Sequence, residues 1–182
     1  MWSVGASGTL RHMRVRYDDR IHAGPEVLGP LIAEGFHGID TSGVEVHVRP
    51  ARNSHQSFCG RAYAGRPARA RLDPETVYLV VLFLPRHLRN RAYPKTYRYP
   101  RLKTAPLITV DDWRERLVAL AAHEACHIRQ FRERLRCSEV EAERWALRAL
   151  ERYRGRTEAP KDTTSGPTQL SLFEAGALHH AA

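Results

Sequence analysis

Five consecutive residues, His123-Glu124-Ala125-Cys126-His127, spell H-E-x-x-H, and the surrounding stretch 111–135 contains neither Gly nor Pro. Trp113, Leu117, Leu120, Ile128 and Phe131 recur in it at helical spacing, which predicts one long helix with the pentapeptide in its middle. Asp112, followed three residues later by Glu115, reads as a capping box at its start. A helix places residues four apart on one face, so the imidazoles of His123 and His127 can hold one cation between them. Glu124 can then take a proton from a water held at that cation. These are the parts a zinc hydrolase needs to cut a peptide bond. The chain has ten histidines, so the pentapeptide alone is a hypothesis, and its context has to supply the rest.

A catalytic zinc takes three protein ligands and leaves one position open. Residues 134–138 read as a turn, and Ser138 with Glu141 is a second capping signature. A further helix is expected over 139–153, with Val140, Ala142, Ala146, Leu147, Ala149 and Leu150 as its apolar residues. Glu139 and Glu143 stand four apart beside that apolar stripe, where a carboxylate is costly unless it is paired or binds a metal. Glu141 is accounted for by the cap. Two acids therefore compete for the third position.

At this point the chain resembles the gluzincin metallopeptidases, in which H-E-x-x-H is followed by a second helix bearing a glutamate ligand. The run Glu139-Val140-Glu141-Ala142-Glu143, followed by Arg144-Trp145-Ala146, is similar to the E-x-E-A-D/N-x-F-A segment of small regulatory metallopeptidases that cleave repressors. The resemblance implies Glu139 on zinc and Glu143 behind a ligand; if the two helices pack antiparallel about a turn near Cys137, Glu143 is the alternative third ligand.

The remaining sequence predicts a strand over 13–17, a helix over 25–36 interrupted at Gly29-Pro30, and a strand over 44–48. Two strands are expected within 58–72 around Gly65-Arg66-Pro67, a buried strand over 77–84 and a last one over 106–110. The order implies an α+β fold, a mostly antiparallel sheet packed on the motif helix and the second ligand-bearing helix. That layout resembles a minimal zincin-like core, whose edge strand lines the substrate groove; here the edge is expected within 68–84, where an extended peptide could add to it. The domain is expected over 13–154, after a flexible leader at 1–12 and before a disordered tail at 155–182.

No apolar run approaches a membrane span. Cys59, Cys126 and Cys137 are odd in number and lack C-x-x-C spacing, which fits buried thiols in a reducing cytoplasm; Cys137 is a lesser metal-ligand candidate. The formal charge of +9 suggests an anionic partner. Between residues 86 and 103 lie Arg86, Arg89, Arg91, Lys95, Arg98, Arg101 and Lys103, no acid, and Tyr93, Tyr97 and Tyr99. Such a stretch can hold phosphates and stack on unpaired bases, or it can be a solvated loop or hairpin.

Past residue 154 the composition turns to Thr, Gly, Pro and charge. Within it stands Gln169-Leu170-Ser171-Leu172-Phe173, whose apolar residues gain nothing in water and so invite docking to a partner. The pentapeptide resembles the bacterial sliding-clamp-binding motif at all five positions. The resemblance implies Gln169 as polar anchor and Leu172-Phe173 as apolar anchor, with Leu170 assisting. Metallopeptidase and clamp peptide together resemble, in logic, the SprT/Spartan group of DNA-dependent proteases. The expected function is a cytoplasmic, nucleoid-associated zinc endopeptidase that digests DNA-bound or crosslinked proteins. The alternatives are a metallopeptidase cleaving a repressor or antitoxin, and a non-catalytic clamp- and DNA-binding adaptor of a phage or plasmid.

Overall fold

The structure is a computed structural model that describes residues 13–51, 58–65, 67, 72–89, 92–99 and 102–157. The expected leader, most of the expected tail with Gln169 to Phe173, and Arg91 and Arg101 lie outside these residues. The elements run β1 (Arg14–Tyr17), α1 (Pro25–Gly35), β2 (Val44–Pro50), β3 (Cys59–Ala64), β4 (Tyr78–Leu84), β5 (Lys95–Tyr97), β6 (Ile108–Val110), α2 (Trp113–Arg132) and α3 (Glu139–Thr157). The chain is α+β, with one four-stranded sheet in the order β1-β2-β4-β3 and one two-stranded sheet of β5 and β6.

The sheet corrects the expectation of mostly antiparallel pairing. β1 pairs parallel with β2, and β2 parallel with β4; β3 is antiparallel to β4, and β5 to β6. The first parallel pair follows from α1, which carries the chain across the sheet between β1 and β2. β4 is therefore central, and its run Tyr-Leu-Val-Val-Leu-Phe-Leu is apolar on both faces, as a strand covered on both sides requires. The edge beside the helices is β3, not a strand within 68–84. The second strand expected before residue 72 falls mostly on residues outside those described, and β5 forms inside the basic stretch.

The helices obey local chemistry closely. Pro25 opens α1 and Pro30 is accommodated within it without a break. The side chain of Asp112 accepts from Glu115 N at 2.9 Å, and Glu115 Oε2 reaches back to Asp111 N at 2.7 Å, one residue earlier than in the usual box. Burial favours the neutral form of Glu115, but the hydrogen bonds and charge of Arg154 outweigh it and hold the carboxyl below its ordinary range. That pair also ties the start of α2 to the end of α3. α2 ends with Leu135 N on Gln130 O and Arg134 N on Phe131 O, a Schellman turn with Arg134 at φ 53° in the place glycine usually holds. α3 continues to Thr157, three residues into the stretch expected as tail.

Val46, Val48, Val80, Leu82 and Leu84 of the sheet meet Leu28 and Ile32 of α1 and Leu117, Val118 and Ile128 of α2 in one core. Each such side chain contributes about 1.5–3 kcal/mol by leaving water. α2 lies against α1, α3 and β3, which is why its alanines at 121, 122 and 125 are fully buried. The sheet thereby holds the H-E-x-x-H segment rigidly between layers.

Candidate metal centre

His123 and His127 project from one face of α2 toward Glu139 in the first turn of α3. Glu139 Oε2 lies 3.1 Å from His123 Nε2 and 3.5 Å from His127 Nε2, and the two Nε2 atoms are 3.2 Å apart. The three atoms form a group that could hold a metal ion. Glu143 does not share that point. Its Oε1 lies 3.1 Å from His123 Nδ1, on the far side of the ring, and it is the more deeply buried of the two acids.

The other nitrogen of each ring has its own acceptor. His127 Nδ1 lies 2.9 Å from Oε1 of Gln130, a fully buried side chain. The amide orientation of Gln130 is fixed by its surroundings: Nε2 donates to Glu141 Oε2 at 2.9 Å and to Ser138 O, while Oε1 accepts from Ser138 N. Glu141 thus pairs with Gln130 and Arg129 rather than closing a capping box, although Ser138 Oγ does accept from Glu141 N. With both Nδ1–H groups directed at oxygen acceptors, both Nε2 atoms present lone pairs to the same small volume.

Glu139 Oε2 is buried there and accepts no hydrogen bond among the described residues. Three lone-pair donors facing one another need a cation between them, so this donor set fits a metal. A proton can partly play that part. Burial disfavours charge on His123, but the carboxylates of Glu139, Glu143 and Glu124 prevail and raise its pKa to about 9. Metal binding has to expel that proton, so affinity should climb about tenfold per pH unit below roughly pH 9. Competition against a chelating dye checks this; an affinity flat over roughly pH 6 to 8.5 would contradict it.

Glu124 faces β3. Its carboxylate takes the Ala62 backbone N–H and lies so near Gly60 that a Cβ added there would stand 2.5 Å from Glu124 Oε1. Burial pushes its pKa up to about 7; His123 opposes this, and Glu139 and Glu143 add to it. A carboxyl poised near neutrality is suited to accepting and returning a proton.

A cavity of about 990 Å³ opens over these groups, walled by α2 on one side and by residues 58–63 on the other. Tyr97, Arg98 and Tyr99 of the basic stretch also line it. The Tyr99 ring stacks on His123 with centroids 6.0 Å apart. Its hydroxyl is raised in pKa by burial, by the charges of Glu139 and Glu124, and by a hydrogen bond to Glu139. Of the other residues expected to face nucleic acid, Arg86, Arg89, Lys95 and Lys103 are exposed, and Tyr93 packs half-buried against the core. Only Cys126 among the cysteines is buried; Cys59 and Cys137 are exposed and line the cavity, because β3 is an edge and Cys137 sits in the turn before α3. Cys137 is not among the converging atoms.

Sequence reasoning did not find Gln130, Gly60 or the place of Tyr99. Gln130 was signalled weakly, by standing one helical turn after His127. No helix of the described residues is long and apolar enough to cross a membrane. The chain matches no protein-family model, no curated protein and no solved structure.

Proposed function

We propose that this chain is a zinc-dependent endopeptidase, with His123, His127 and Glu139 holding the metal and Glu124 as general base. The observation that carries the reading is the convergence of His123 Nε2, His127 Nε2 and Glu139 Oε2, 3.1 to 3.5 Å apart, in an open cavity that also holds Glu124. Those separations approach the edge of a tetrahedron with bonds of about 2.0–2.1 Å, the zinc geometry. A bound zinc supplies a Lewis acid for the scissile carbonyl and lowers the pKa of water beside it.

The protein's own residues supply the rest. Glu124 accepts the proton of the attacking water and delivers it to the leaving amine. The Ala62 N–H holds that carboxylate in place. Glu143 and Gln130 fix the two imidazoles, and β3 offers an edge along which a substrate strand can lie. Tyr99, stacked on His123, supplies a hydroxyl for the developing oxyanion.

Recruitment to DNA through the sliding clamp rests on Gln169 to Phe173, and DNA contact on Arg86, Arg89, Lys95 and Lys103. A second reading keeps the chemistry and makes a repressor or antitoxin the target; the positions of Glu139 on the ligand point and Glu143 behind His123 favour it, since the resemblance to regulatory metallopeptidases implies that arrangement. The deciding experiment incubates the zinc-loaded full chain with a DNA-bound protein and clamp, and separately with free protein. Cleavage should stop with 1,10-phenanthroline and return with added zinc. Cleavage indifferent to the chelator, or none of any protein, would defeat the peptidase reading. Loss of DNA-dependent cleavage in Phe173→Ala would support recruitment by the clamp.

A further inference from the structure

The cavity is not uniform along its length. From α2 it is lined by Arg116, Ala119, Leu120, His123, Glu124, His127 and Phe131, one face of the helix read from end to end. Phe131 stands at one end of that face and Arg116 at the other. Arg116 is half-buried, and its guanidinium carbon stands over the Tyr97 ring, 3.6 Å from its centroid. That contact and a side-chain hydrogen bond to Tyr97 hold the guanidinium in place, and its five N–H donors leave others for a ligand.

Its surroundings set it apart from the other arginines of α2. Arg114 pairs with Asp112, Arg129 with Glu141 and Arg132 with Asp40. Arg116 pairs with no carboxylate among the described residues, and neither does Arg98, which is exposed and also lines the cavity. A half-buried guanidinium without a carboxylate partner at one end of a groove is suited to an anion from the ligand.

Distance says where on the ligand that anion belongs. Arg116 precedes His123 by seven positions, so it stands about 10.5 Å along the helix axis from the metal-binding group. An extended peptide covers that span in about three residues. The residues of β3 line the cavity alongside this face of α2, so a bound strand runs between the two. Glu124, Glu139 and Glu143 surround the cavity's centre. A phosphodiester chain, charged at every residue, would meet those carboxylates, whereas a peptide can carry one charge at the cationic end and none beside the cut.

We infer that Arg116 is a subsite for an aspartate or glutamate of the substrate peptide, about three residues from the bond that is cut. The inference rests on the peptidase reading and deepens it.

The test has two arms. In the first, the zinc-loaded chain digests a library of blocked peptides of random sequence, and the cut positions are read by mass spectrometry. Enrichment of Asp and Glu at one position, about three residues from the cut and lost in Arg116→Gln, is the expected result. The Gln variant keeps a stem over Tyr97, so its folding can be verified by thermal melting. Cleavage without acidic enrichment, or enrichment that survives Arg116→Gln, overturns the subsite and leaves the peptidase reading standing. Absence of all cleavage defeats the peptidase reading, and the second arm then judges the subsite by itself.

That arm measures binding to Glu124→Gln by fluorescence anisotropy, with two labelled alanine-based nonapeptides that differ only in Asp or Asn, and a short labelled single-stranded oligonucleotide. The Asp peptide should bind about tenfold tighter than the Asn peptide, a ratio that added salt shrinks and Arg116→Gln brings near one. Equal binding of the two peptides overturns the proposal. So does an oligonucleotide that binds more tightly than either peptide and loses affinity in Arg116→Gln, which would assign the cations to nucleic acid.

Discussion

Glutamine in place of Glu124 is expected to lower peptide hydrolysis by roughly 10²- to 10⁴-fold while leaving the metal content unchanged. The two side chains have nearly the same shape, and glutamine keeps an oxygen to accept the Ala62 N–H. What it lacks is basicity. The two imidazoles do not depend on position 124 for their orientation, since Glu143 and Gln130 provide it. The fold should tolerate the change or gain from it, because burial already pushes the Glu124 carboxyl up to about 7 and a neutral amide avoids that cost. Steady-state cleavage, metal analysis and a thermal melt on one preparation check all three statements. A variant with wild-type turnover would remove Glu124 from the proton transfer.

The second large effect concerns stability and arises far from the pocket mouth. A Cβ on Gly35 would stand 2.5 Å from Ala121 Cβ, 2.7 Å from Ala122 N and 2.9 Å from Ala121 C. Two of those atoms are backbone, which cannot swing aside, so α1 would have to move off α2. Helix propensity favours alanine by about 0.5–1 kcal/mol, but overpacking of this kind costs about 1–3 kcal/mol. The difference, up to about 2.5 kcal/mol, should lower the melting temperature of Gly35→Ala by a few degrees and at most about 10 °C, and that of Gly35→Val by more. Because Ala121 and Ala122 precede His123, metal affinity should fall as well. An unchanged melting curve would mean that α1 and α2 are not held at this spacing.

What could be read in the sequence was what is local along the chain. Asp112 and Ser138 announced their helices because a cap is satisfied within three residues. His123 and His127 share a face by helical arithmetic, and β4 was visible as a run of apolar β-formers. Strand direction was not visible, because alternation reports a strand and its faces but not the orientation of its neighbour. The edge was misplaced for the same reason: β4 is apolar on both faces because it is central, and the more polar β3 is the edge. The surroundings of the candidate centre were hidden because they are tertiary. Gly60 matters through Glu124, and Tyr99 through His123, each brought from another element. Tyr97 and Tyr99 were weighed with their basic neighbours as a surface, and only the fold reveals that they line the cavity.

Gln130 is a single buried amide that steers one imidazole and clasps the first turn of the following helix. The docking of the two helices thus sets the angle of that imidazole. Under the proposed function, removing the ion is therefore expected to stop cleavage while the amide clasp between the two helices stays closed.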